Sequence, residues 1–145
     1  MEENKNLAVV EKGEDMALNL TGERKSSYTS LSNETNEEKQ ILYKAMSNPD
    51  KRLADCINTV IYAKDLFMEM VDMTNSETGE ITSCPRIVIV DADNVSYQSV
   101  SFGIYNALKR VISVFGSPTW NEPIPLKVIQ VTRGEKKMLS LDVQF

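Results

Sequence analysis

With 145 residues, 41% of them hydrophobic and 26% charged, the chain has the size and composition of one compact soluble domain. It contains no histidine, which removes the commonest general base, the Ser-His-Asp and Cys-His arrangements and the histidine ligand of zinc deaminases. The net charge of −5 argues against a polyanionic partner only until it is divided: residues 1–50 hold ten acids and six bases and residues 51–85 six and three, but residues 86–145 hold five acids and seven bases.

A polyanion would therefore meet the C-terminal part of the chain, because local charge sets where it binds. No run approaches the roughly 18 to 20 apolar residues of a membrane span. The N-terminus, MEENKNLAVVEKGEDMAL, lacks the basic and apolar regions of a signal peptide. A cytoplasmic location is expected. Cys56 and Cys84 have no CxxC spacing, so they read as free, buried small hydrophobes.

Residues 1–25 show little periodic apolar pattern and are expected to form a flexible acidic arm, leaving 26–145 as the domain. Tyr28 to Leu31 could form a short strand. Thr35 followed by Glu38 is a capping box. It opens a helix over about 36–47 with Ile41, Leu42, Ala45 and Met46 toward the core, stopped by Asn48-Pro49. The stretch from Leu53 to Met73 reads as one long, bent strand. A polar loop, 74–83, leads to a strand over 85–91, a turn at Ala92-Asp93-Asn94, and a strand around Tyr97 to Val100. Ser101 fits the N-cap of a helix over about 102–115, where Ile104, Leu108, Val111, Ile112 and Phe115 form a stripe. After the proline-rich SPTWNEPIP, LKVIQVT and KKMLSLDV are two strands joined by Arg133-Gly134-Glu135.

From residue 53 the order is strand, strand, strand, helix, strand, strand. That predicts a mainly β (α+β) fold: an OB-like five-stranded barrel with an inserted helix, preceded by an N-terminal helix.

The stretch RIVIVDADN ends in Asp91 and Asp93, which admits a second reading as the first strand of a magnesium-dependent, PIN-like nuclease. A Walker B role fails for want of a GxxxxGK[ST] loop. Few acids follow Asp93, and the strand leads quickly into another strand rather than a crossover helix. A hairpin tip is the favoured reading, with Asn94 at a position that tolerates positive φ.

Trp120, the only tryptophan, reads either as a lid with its indole N–H on a backbone carbonyl or as a base-stacking platform. Tyr97 is expected to expose its ring on the third barrel strand, with Tyr62 and Phe67 weaker aromatic candidates; Tyr105 reads as core. Arg86, Lys127, Arg133, Lys136 and Lys137, with Lys64, are candidates for phosphate contacts.

Three segments together resemble the non-specific single-stranded DNA-binding proteins of small tailed phages and related mobile elements. They are CINTVIYAKDLFMEMV, PRIVIVDADNVSYQSVSFGIYNALKRVISVFG and SPTWNEPIPLKVIQVTRGEKKMLSLDV, covering about residues 54–143. The resemblance implies an OB-like protein that coats and protects single-stranded DNA during replication in the host cytoplasm, with no catalysis and no cofactor. Cellular proteins of similar function recruit partners through an acidic tail; here LSLDVQF ends the chain, so residues 1–25 are the candidate for contacts with replication proteins. Self-association stays open. A protein-interaction module that binds no nucleic acid is the remaining alternative.

Overall fold

The computed structural model describes residues 27–145; the acidic arm expected over 1–25 lies outside them. Strands β1 (Ser27–Thr29), β2 (Lys51–Arg52), β3 (Val60–Thr74), β4 (Ile81–Asp91), β5 (Ser96–Ser99), β6 (Ile124–Arg133) and β7 (Lys136–Val143) are joined by helices α1 (Asn36–Ser47) and α2 (Phe102–Phe115). One seven-stranded sheet results, in the order β2-β5-β4-β3-β6-β7, with β1 also on β3. All pairings are antiparallel except β2 with β5.

The expected closed barrel of five strands is therefore corrected to an open sheet. β5 and β7 never pair; α2 lies between them in sequence and packs on β7 and β4. Gly103 makes that approach feasible, because a Cβ there would stand 2.0 Å from the Leu139 carbonyl oxygen. The sheet still curls: Leu53 and Tyr97 from one end share a core with Leu141 and Val143 from the other, around Ile104, Leu108 and Val111 of α2. Burying each such aliphatic side chain contributes about 1.5–3 kcal/mol.

The long strand expected over 53–73 begins only at Val60, because Leu53–Asp55 is a 3-10 turn and Asn58 turns the chain at φ 71. Its bend is a bulge. Ala63 pairs with Asp91 and Asp65 with Val90, so Lys64 is the extra residue. Before the bulge Ile61 and Ala63 face the inner core; after it Leu66 does, and Phe67 turns to the outer face.

On that outer face Phe67, Val88 and Val90 are covered by Ala45 of α1 and by Leu31. The capping box of α1 forms as its residues dictate, with the Glu38 backbone N–H donating to Thr35 Oγ1 at 3.1 Å and the Thr35 N–H to Glu38 at 3.0 Å. The Thr35 backbone N–H, joined by the Ser32 hydroxyl that donates to the same carboxylate at 2.9 Å, holds the Glu38 carboxyl below its usual range. At the far end Asp50 pairs with Lys44 and accepts from the Ser96 backbone N–H at 3.0 Å; the Lys44 ammonium first, and then the Ser96 amide, lower its pKa. Met46, expected inward, is 37% exposed.

Candidate nucleic-acid interface

Asp91 and its neighbours show why the carboxylates at the β4–β5 turn are a hairpin tip. Asp91 Oδ1 accepts from the backbone N–H groups of Asp93 (2.8 Å) and Val95 (2.9 Å), and Oδ2 accepts from the Tyr97 hydroxyl at 3.0 Å. Asn94 takes φ 65, a conformation its short polar side chain tolerates. Among the described residues, no three His, Cys, Asp or Glu side chains gather in a way that could hold a metal ion.

The expectation of an exposed ring at Tyr97 is corrected. Tyr97 pairs with Ile89 and shares its inner face, so the ring lies in the core at 8% exposure. Burial, followed by the Asp91 carboxylate, pushes its hydroxyl up to about 12. Trp120 is also buried. Its backbone N–H donates to the carbonyl of the bulged Lys64 at 3.0 Å and its indole Nε1 to the Gly116 carbonyl at 2.9 Å. This is the lid arrangement, and it leaves no open indole face for stacking. The loop also seats Thr119 on the buried Asp65, whose Oδ1 accepts from Ser30 Oγ at 2.8 Å.

Of the aromatics expected to meet bases, Tyr62 is the one that the fold exposes. The register sets Tyr62 opposite Pro125 and Val60 opposite Lys127. Strand alternation therefore puts Tyr62 and Lys127 on the outer face, diagonal to one another. Tyr62 is 57% exposed. From Lys127 the same alternation carries Ile129, Val131 and Arg133 along that face, and Lys136 pairs with Arg133 at the tip. Gly134 at φ 63 closes the turn. Lys137 belongs to the opposite face of the ribbon but shares its tip; Asp142, opposite Lys127, is the acid on this face of β7.

The other two cations are engaged. Arg86 Nη1 donates to Glu69 at 3.0 Å, and Lys64 Nζ donates to Asn94 Oδ1 at 3.0 Å. The structure thus sets Tyr62 and Lys127 on one face, with Arg133, Lys136 and Lys137 farther along the same ribbon at its tip. Lys64 lies two residues from Tyr62 in β3 but is held by Asn94, Arg86 is held by Glu69, and Trp120 and Tyr97 are buried.

A family model described as Phage Single-stranded DNA-binding protein matches residues 21–144. The chain belongs to this family. The family is one of DNA-binding proteins. No curated protein and no solved structure matches the chain. No helix among the described residues is long and apolar enough to cross a membrane.

Proposed function

We propose that the protein coats single-stranded DNA without sequence preference during phage DNA replication, shielding it in the host cytoplasm. The strand lies along the outer face of β3, β6 and β7 of an OB-like half-barrel. The observation that carries this reading is the exposed Tyr62 ring beside Lys127, in line with the cations of the β6–β7 tip. Every base offers a face to a ring, so stacking tolerates any sequence. Lysine and arginine neutralise phosphates and release counterions. Arg86 and Lys64, already paired, act at the margin; the acidic residues 1–25 are the segment suited to replication partners.

A gel-shift series with labelled single-stranded DNA, at several salt concentrations and with and without magnesium, tests the proposal. Intact, retarded DNA whose retardation fades with salt is expected. Cleavage that needs magnesium and is lost in Asp91→Asn would establish a nuclease instead. Absence of any shift at low salt would leave a protein-interaction module.

A further inference from the structure

At the base of the β3–β4 hairpin, Tyr28, Met68, Met70, Pro85 and Tyr105 line an apolar slot of about 160 Å³. Tyr28 pairs with Met68, whose side chain packs on the inner core with both tyrosines, so the slot is separate from the outer face that carries Tyr62. Lys109 of α2 holds its ammonium 4.9 Å from the centroid of the Tyr105 ring. The carboxylate at the rim, Glu69, is balanced by Arg86 at 3.0 Å.

We propose that this slot receives one unstacked pyrimidine base of the bound strand, a second base site remote from Tyr62. The inference rests on the single-stranded DNA reading above. Size favours a single-ring occupant: an apolar cavity of about 150 Å³ holds a benzene-sized ring, so the slot suits a pyrimidine better than a purine and adds a modest pyrimidine preference to an otherwise sequence-tolerant coat. Chemistry selects it: tyrosine rings favour contact with another π-system, and methionine sulfur adapts to a ring edge. Lys109 supplies a cation for the phosphate that flanks an inserted base.

The test uses the full chain and fluorescence anisotropy with three labelled strands of equal length: oligo-dT, oligo-dA and a fully abasic backbone. Met70→Trp fills the slot from a partly exposed position; Tyr105→Leu removes the ring while keeping apolar contact. Each should weaken oligo-dT binding about ten-fold, the share of one stacked base, and leave oligo-dA and the abasic strand within about two-fold of wild type. Thermal unfolding of both variants is followed in parallel, and the proposal stands on the difference between strands, which a general loss of folding would not produce. Equal losses on all three strands, or no loss on oligo-dT, would overturn the slot while the wild-type shift with salt still upholds DNA binding. A wild-type protein that holds none of the strands would overturn both.

Discussion

Two antiparallel ribbons extend from the body of the sheet. In residues 70–85 of the β3–β4 ribbon the strands pair only with each other among the described residues, and they carry Asp72, Glu77 and Glu80 with no base. Residues 129–140 of the β6–β7 ribbon carry Arg133, Lys136 and Lys137 against the single acid Glu135. Both are paired strands closed by a polar turn with a positive-φ glycine, Gly79 or Gly134. The acidic ribbon exposes Met73 at 51% and Ile81 at 66%, so it has apolar surface to offer but a field that repels phosphate. Architecture alone does not choose where a polyanion binds; the charge carried on it does.

The largest expected effect separates the two tips. Replacing Arg133, Lys136 and Lys137 together by Ala should lower affinity for single-stranded DNA on the order of 100-fold at low salt. The slope of log K against log salt should become shallower by about 2, at roughly 0.7 per lost phosphate contact. Neutralising Asp72, Glu77 and Glu80 to Asn or Gln should not weaken binding. Similar losses from both sets, measured by anisotropy across salt, would break the comparison.

A smaller effect separates stacking from charge. Tyr62→Ala should cost about ten-fold in affinity with the salt slope unchanged, whereas Tyr43→Ala, 73% exposed on α1, should cost nothing. A Tyr62 variant with wild-type affinity would move the strand off the outer face.

Smaller again is the loss at an inward ring. Trp120→Phe removes the donor to the Gly116 carbonyl and should lower unfolding free energy by about 1 kcal/mol, read by urea denaturation. Its DNA affinity should match wild type; a loss of affinity at retained stability would restore the indole as a stacking platform.

The smallest effect is in pH. Tyr97 ionises near 10 when unfolded and about 12 when folded, so the fold favours its neutral form. That contribution is complete below pH 10 and is lost as pH rises through 12. Tyr97→Phe should flatten the fall of stability across this window, and an unchanged pH profile would show the hydroxyl to be unimportant. Asp50 acts in the opposite sense: its folded pKa is depressed, so its contribution is present above the ordinary carboxylate range and lost as acid protonates it.

The features legible in the sequence are those whose partners lie within a few residues. Thr35 with Glu38, Ser101 with the amides of Gly103 and Ile104, and Asp91 with the amides of Asp93 and Val95 are local hydrogen-bonded devices. The hairpin at Gly134 and the α2 stripe from Ile104 to Ile112 belong with them, although Phe115, expected in that stripe, is 41% exposed and Cys84, expected to be buried, is half-buried. The family was legible too, from segments spread over most of the chain. Which tyrosine faces outward was not.

Side-chain facing in a strand reverses with a shift of one residue. The bulge at Lys64 makes such a shift in the middle of β3, and only the pairing with β4 reveals it. Trp120 was ambiguous for a related reason: its partners, Gly116 and the Lys64 carbonyl, meet only after the loop has folded back on the sheet. Composition and short-range spacing determined the strand-rich elements, the hairpin tips and the basic C-terminal half. Tertiary pairing decided that the barrel stays open between β5 and β7, that Tyr97 is sealed within it, and that Tyr62 stands outside. Facing and closure are properties of register between strands distant in sequence, and no local pattern encodes them.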